Sequence, residues 1–493
     1  MQRLNQKSLP IGRWQYNRKR VTAGIIHFGI GNFHRCHQAL YVDKLLSEGH
    51  FDWGIIGVSL RSASTRDALA PQDFLYSQVT LDEEISGNGP DIRIIGAVLD
   101  ILVAPENPAD VIGRTADNDI KLVTITITEK GYYLKSGKFD HGQPNILADL
   151  RSLDIPTTIY GYLAAAIIQR RKKGDSPLSV VCCDNIQNGG GHLETGVQLL
   201  LQHHDPDSSS WAAKHVSFAS SMVDKVAPAT DESLKLLVQN TLGLEDAWPV
   251  AAEPFSQWII EDKFAAARPA FDTVGAVFSD DITLFEQMKL RFLNAGHSII
   301  STLGYLSDQL SIHQALEQTH ILKFVLTALH GNVLPVATLP ANFRGEDYIA
   351  GVIQRFRNSA LPYAVQQVNT DSSIKIQQRW FPTIDDALRQ NTDTTFMSFI
   401  LAAWVGYVQR ALIAGELIDP CERKFAEALQ KETDIIHGFL HIAGADRFDF
   451  FSSKEFMERV YHHYNIIENE TITMAIKHIL KTQSLHQEVL TDA

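Results

Sequence analysis

The first half of the chain sets short runs of β-branched residues apart with amphipathic stretches. The runs GIIHFGI (24–30), WGIIGVSL (53–60), IRIIGAV (92–98), KLVTITIT (121–128) and LSVVCCDN (178–185) are continuously apolar enough for strands buried on both faces. Segments such as YGYLAAAIIQRRKKG (160–174) carry helical spacing between them. Strands alternating with helices predict a parallel sheet covered by helices. From about residue 284 the strand signal fades. LFEQMKLRFLNAGHSIISTLGYL (284–306), SFILAAWVGYVQRALIAG (398–415) and SSKEFMERVYHHY (452–464) predict a mostly α-helical second domain. The expected division is therefore 1–283, an α/β dinucleotide-binding domain of Rossmann type, and 284–493, a mostly helical substrate and catalytic domain. HHDPDSSS (203–210) and SGNGPD (86–91) read as surface loops.

Composition narrows the function. A chain of 493 residues exceeds what one hydrophobic core organises, and 45% hydrophobic with 20% charged residues fits a folded globular protein. The formal net charge of -13 argues against a nucleic-acid partner, which needs clustered Lys and Arg, and favours a small molecule. Cys36, Cys182, Cys183 and Cys421 follow neither a zinc-site nor a disulfide spacing and read as reduced thiols. The N-terminus lacks the apolar core of a signal peptide, and no stretch reads as a membrane span. The expectation is a cytoplasmic protein without nucleic-acid or membrane partners; its oligomeric state is not encoded in any pattern here.

Three places carry candidate chemistry. In IIHFGIGNFHRCHQALY (25–41), a strand ends in Gly29-x-Gly31 and runs into a helix, presenting bare N–H groups at a helix start where a pyrophosphate can approach. An ordinary strand-to-helix turn has the same look, and His34 stands where the usual third glycine would be. His34 and His37, three residues apart, lack the acidic or Cys partner that would complete a metal set. After the second strand, SLRSASTRD (59–67) places Arg61, Ser64 and Arg66 where dinucleotide enzymes carry an acid for the ribose. These groups either accept a 2′-phosphate, which leaves NADP open beside NAD, or are solvated loop residues.

The third place is FEQMKLRFLNAGHS (285–298). Desolvation in this apolar helix would lower the pKa of Lys289 toward use as a base near neutral pH, with Glu286 one turn before it. At about 100° per residue, Lys289 to Asn294 spans roughly 140° of arc and Lys289 to His297 about 80°, so the three border one cleft without forming a stripe. The alternative is a lysine snorkelling from a core helix that Asn294 and Gly296 terminate.

GIGNFHRCHQALY, DWGIIGV, TITITEKGY, CCDNIQNGG, SMVDKVAPAT, AEPFSQWIIEDKF, RPAFDTVGA, MKLRFLNAGHS and LGYL occur in the order and spacing of one family. Through them nearly the whole chain resembles the polyol-specific long-chain dehydrogenase/reductase family, the mannitol dehydrogenase family. The resemblance implies a zinc-independent nicotinamide enzyme that builds its active site from a Rossmann-type and a helical domain, with Gly-x-Gly-x-x-His as its own cofactor turn. It places cofactor contacts on the turn at Gly29, Gly31, Asn32, Phe33 and His34, to which the loop after the second strand adds Arg61. It puts the general base on Lys289, oxyanion-binding amides on Asn185 and Asn294, a substrate-binding histidine on His297, a proton link to solvent on Glu286 and a substrate-hydroxyl contact on Asp224. Lys225 departs from the arginine usual after that aspartate.

The substrate is read from VQQVNTDSSIKIQQRWFPT (365–383). Gln367, Gln378 and Arg379 resemble the fructuronate reductase (D-mannonate oxidoreductase) branch, and Lys375 with Arg379 would bind a hexuronate carboxylate. EDAWPVAAEPF and the long C-terminus instead resemble mannitol 2-dehydrogenases. The expectation is a D-mannonate/D-fructuronate enzyme, with D-mannitol/D-fructose as the alternative. A non-catalytic, ligand-sensing descendant would have lost Lys289 or the asparagines, and all are retained.

Overall fold

The structure is a computed structural model and describes residues 2–9, 15–82, 90–135, 137–174, 176–341, 343–361, 363–431 and 434–491. The chain divides into two compact units, Met1–Thr283 and Leu284–Ala493.

The first unit is built on six parallel strands: β1 (Ala23–Phe28), β2 (Gly54–Ser59), β3 (Val98–Val103), β4 (Leu122–Ile125), β5 (Leu178–Cys182) and β6 (Val216–Ala219). Their order across the sheet is β3-β2-β1-β4-β5-β6, with every neighbour parallel, which is the doubly wound dinucleotide-binding arrangement. Alternate residues feed opposite faces. Ile25, Ile55, Leu122 and Val181 join one apolar cluster, while Ile26, Ile56, Val123 and Val180 join the other, so both faces are dry and the runs read as continuously apolar. The helices α1 (Asn32–Cys36) and α2 (Gln38–Ser47) follow β1, and α3 (Ile159–Gly174) covers the second cluster.

A second, three-stranded sheet holds β7 (Ser221–Asp224), β8 (Gln257–Glu261) and β9 (Val277–Ser279). A third pairs Tyr76–Thr80 with Asp91–Ile95 and Val250–Ala252. The run IRIIGAV is accordingly two strands rather than one. Gly96 at the break gives its N–H to Asp43 at 2.9 Å and accepts from Arg18 at 2.9 Å, so side chains replace the ladder there.

HHDPDSSS is helical, not a loop: it ends α4 (Gly189–His204) and begins α5 (Pro206–His215). Asp205 accepts from the Ser208 N–H at 3.1 Å and Pro206 takes the first helical turn, a cap signal that the polar composition masked. Most of SGNGPD lies outside the described residues.

The second unit is helical. It opens with α6 (Thr283–Met288), a π-helix at Lys289–Asn294 and α7 (Ala295–Leu306), and continues through α8 (Gly345–Phe356), α9 (Val365–Asn369), α10 (Ser372–Arg379), α11 (Thr395–Ala414) and α12 (Lys454–Asn469) among others. Contrary to the sequence expectation, one helix among the described residues is long and apolar enough to cross a membrane: α11, with a mean hydropathy of 1.5. It is apolar all round because 78% of that window is buried within the protein, packed on α12 and α7.

Candidate active site

The turn between β1 and α1 is built around two glycines with different duties. Gly29 lies at φ +99°, and a Cβ there would stand 1.8 Å from the Thr126 carbonyl oxygen, so the fold itself demands glycine. Gly31 has ordinary backbone angles, and the nearest atom to a Cβ built on it is 3.9 Å away. Among the described residues nothing excludes a side chain at Gly31. A glycine that the fold does not need, at the start of a helix, fits the close approach of a dinucleotide pyrophosphate.

The side chains expected at the cofactor are mostly engaged in holding this turn. Asn32 Oδ1 accepts from Arg35 Nη2 at 2.5 Å, and its Nδ2 donates to Pro228 O at 3.4 Å. Phe33 stacks on the His37 ring at 5.0 Å, and His37 Nε2 pairs with Gln257 O at 2.9 Å. His34 is 1% exposed and stacks on His27 of β1, with ring centroids 3.4 Å apart. Asn32 and Phe33 also stand in the first turn of α1, where a helix leaves its backbone N–H groups without intrahelical partners. Arg61 is exposed beyond β2, while Arg66 is paired with Glu106 and Asp67, which occupies one of the two arginines considered for a 2′-phosphate.

Asn185 is exposed on the turn after β5, and its neighbour Asp184 ties two strand ends together. The Asp184 carboxylate accepts from the N–H groups of Ile127 (2.8 Å) and Thr128 (3.2 Å) and from the Tyr132 hydroxyl (2.7 Å). This clamp holds Thr128 at φ +69°, a costly conformation for a β-branched residue. Burial raises the Asp184 pKa above its ordinary value, against the three hydrogen bonds that lower it. Asp224 ends β7 and is 5% exposed; the adjacent Lys225 donates to Glu253 O at 2.8 Å and Phe255 O at 3.0 Å, so the departure from arginine is met by backbone acceptors.

In the second unit the segment read as an α-helix contains the π-helix Lys289–Asn294, where the Ala295 N–H reaches Leu290 O. Hydrogen bonds from i to i+5 bring residues five apart to where an α-helix brings residues four apart, so the expected 140° between Lys289 and Asn294 largely closes. Lys289 is 8% exposed, and Glu286 lies on α6 just before it.

The junction with α7 is braced by side chains: Arg379 Nη1 donates to Asn294 O (3.2 Å) and Ser298 Oγ (2.6 Å), and Trp380 Nε1 donates to Ala295 O (3.3 Å). Burial lowers the Arg379 pKa to about 10. Lys375 Nζ donates to Val368 O at 3.0 Å, and Gln367 is exposed on α9.

His297 stacks on Phe356 at 4.7 Å and meets Tyr363 edge-on at 5.3 Å. Its Nε2 is buried without a hydrogen-bond partner among the described residues. Burial, followed by the charges of Arg379, Lys375 and Arg355, lowers its pKa to about 3, so it works as a neutral imidazole. Among the described residues, no three His, Cys, Asp or Glu side chains group to hold a metal ion.

Sequence reasoning missed His27, Thr126, Asp184 and Arg35. For the first two, a histidine and a threonine within otherwise apolar runs were the available signal.

Comparison with known proteins fits these observations. Residues 23–273 match the mannitol dehydrogenase Rossmann domain and residues 281–468 the mannitol dehydrogenase C-terminal domain. Mannitol 2-dehydrogenase of Cereibacter sphaeroides is 35% identical over 415 residues, covering 83% of this chain and 86% of the relative. The structure is similar to Pseudomonas fluorescens mannitol 2-dehydrogenase in its ternary complex with NAD and D-mannitol, at 30% identity and TM-score 0.80 over 97% and 99% of the two chains. It is also similar to a substrate-free D-sorbitol dehydrogenase, at 29% identity and TM-score 0.87 over 96% and 100%. With both family models matched in order across most of its length, the chain belongs to the mannitol dehydrogenase family.

Proposed function

We propose that the protein is an NAD-dependent polyol dehydrogenase that interconverts D-mannitol and D-fructose, with Lys289 as general base and acid. The observation that carries this reading is the half-buried π-helix, which brings a lysine and a carboxamide to one side of a helix in a family of polyol dehydrogenases. Bound NAD supplies the hydride acceptor for the carbinol carbon. Lys289, as the neutral amine, takes the hydroxyl proton, and Asn185 and Asn294 donate amide N–H bonds to the oxygen as negative charge develops on it. His297 Nε2 orients a neighbouring hydroxyl, Asp224 accepts from another, and Glu286 passes the proton from Lys289 to solvent. Ketone reduction runs the same steps backwards. The reading includes a cytoplasmic setting and small-molecule partners only.

The expected fructuronate specificity gives way to mannitol and fructose on two supports. The relatives compared above act on polyols by name, and both cations assigned to a carboxylate already serve the protein's own backbone. One observation favours the second reading: Arg355, Lys375 and Arg379 together make the surroundings of His297 positive. Loss of 340 nm absorbance with NADH and either D-fructose or D-fructuronate, repeated with NADPH, decides between them. A tenfold preference in kcat/KM corresponds to about 1.4 kcal/mol. A fructose preference supports the primary reading; a fructuronate preference overturns it.

A further inference from the structure

His27 is a buried imidazole in the middle of a parallel sheet, at a position where β1 otherwise carries apolar residues. Its Nδ1 lies 2.8 Å from Thr124 Oγ1, and its Nε2 lies 2.9 Å from Thr126 Oγ1 and 3.2 Å from Gly29 O. Thr126 Oγ1 in turn donates to Gly29 O at 2.8 Å, which requires it to accept from His27 Nε2–H. The ring is then the Nε2–H tautomer, and the Thr124 hydroxyl donates to Nδ1. The bonds form one directed chain, Thr124 to His27 to Thr126 to the Gly29 carbonyl. That carbonyl also accepts from the Gly31 N–H at 2.7 Å.

Fixing the Gly29 carbonyl fixes the plane of the peptide that follows it, and with it the direction of the next N–H. The same ring reaches the other end of the turn. His34, in the first helical turn, lies flat on His27 with an interplanar angle of 17°. In the usual fingerprint the third glycine lets helix and strand approach closely; a flat ring stacked on a flat ring serves that contact here. Burial keeps both imidazoles neutral, His27 with its pKa lowered to about 3, so the stack carries no charge repulsion.

We propose that His27 is a positioning residue that presets the cofactor turn, acting through the Gly29 carbonyl at one end and the His34 ring at the other. This rests on reading the Gly29–Phe33 turn as the NAD cradle. It assigns a buried polar residue outside the expected site to cofactor affinity rather than to catalysis.

The test uses the full chain and four variants: His27→Phe, which keeps a ring against His34 but ends the hydrogen-bond chain; Thr126→Val and Thr126→Ser; and Gly31→Ala. NADH affinity is read by fluorescence titration, alongside melting temperature and the split of kcat from KM. His27→Phe and Thr126→Val should each weaken NADH binding tenfold or more, with a larger effect on cofactor KM than on kcat. The double variant should be no worse than about the poorer single, because both break one chain, and Thr126→Ser should stay within twofold of the parent. Melting temperatures that fall while NADH affinity stays within twofold of the parent overturn the proposal and leave His27 a purely structural residue. If His27→Phe does not fold, the Thr126→Val and Thr126→Ser pair decides alone. Gly31→Ala separates the two claims. If it binds NADH like the parent, the turn is not the cradle and the underlying reading fails; if it weakens binding while the His27 and Thr126 variants do not, only the positioning role fails.

Discussion

Arg379 Nη1 donates to Ser298 Oγ at 2.6 Å across the junction where the π-helix gives way to α7. The same nitrogen reaches Asn294 O, the last residue of the widened turn. A guanidinium assigned from the sequence to a substrate carboxylate is therefore also a brace for the backbone that carries Asn294.

This brace predicts that Arg379→Met lowers kcat on D-fructose tenfold or more, although fructose has no carboxylate to bind. Hydrogen bonds from a charged donor are worth about 1.5–3 kcal/mol, enough for that loss. NADH affinity by fluorescence titration should be unchanged. A variant that keeps its fructose rate and loses only hexuronate activity would show that Arg379 reads substrate instead.

Lys289→Ala should lower kcat by about 10²- to 10⁴-fold, the usual contribution of a positioned acid–base group, and leave NADH binding intact. Asn294→Ala, which removes one oxyanion donor, should cost about 10²- to 10³-fold. Near wild-type turnover by Lys289→Ala would remove the proposed base. Activity should also withstand prolonged dialysis against a strong chelator, since proton transfer is assigned to the lysine.

Buried histidines, His34 among them, make stability fall in acid. Burial lowers the pKa of His27 and His297 to about 3 and that of His463 to about 4. Each is neutral in the folded protein and takes up a proton below about pH 6.5 once unfolded. The unfolded state then binds more protons, so stability is lost as pH drops from about 6.5 toward the folded values. At pH 5 each histidine accounts for about 2 kcal/mol of that loss. His463 lies outside the candidate site, against Ser398 at 3.2 Å, and suits a test. The fall in melting temperature between pH 7.5 and 5.0 should be smaller for His463→Phe than for the parent by roughly 3 °C or more. Equal falls would assign the acid sensitivity to other groups.

The sheet was legible because strands buried on both faces must be continuously apolar, and Ile25-Ile26, Ile55-Ile56 and Val180-Val181 each supply one residue to either side. Both glycines of the turn were legible as a motif, but their separate reasons were not: only the positions of Thr126 and of empty space beside Gly31 distinguish them. The two strands inside IRIIGAV were hidden because Asp43 and Arg18, distant in sequence, end the first of them. Apolar periodicity does not separate i+4 from i+5 bonding over six residues, so Lys289 and Asn294 were placed on an ideal α-helix. The bracing arginine that marks the difference lies 85 residues beyond Asn294.

The π-helix also bears on how the pairing of Lys289 with Asn294 can be reached. Between Met288 and Ala295 the chain holds one residue more than an α-helix needs for the same climb. Ile299, Ile300 and Leu303 anchor the following helix in the core, so the surplus is confined to the stretch that carries Lys289 and Asn294. Deletion of a single codon within 290–293 would let the helix close in ordinary α register while those anchors kept their seats. Lys289 and Asn294 would then stand four apart on an ordinary α-helical turn and would again share one side of the helix, in a protein still folded around the same core. The spacing that sets the chemistry is thus one residue removed from a regular helix.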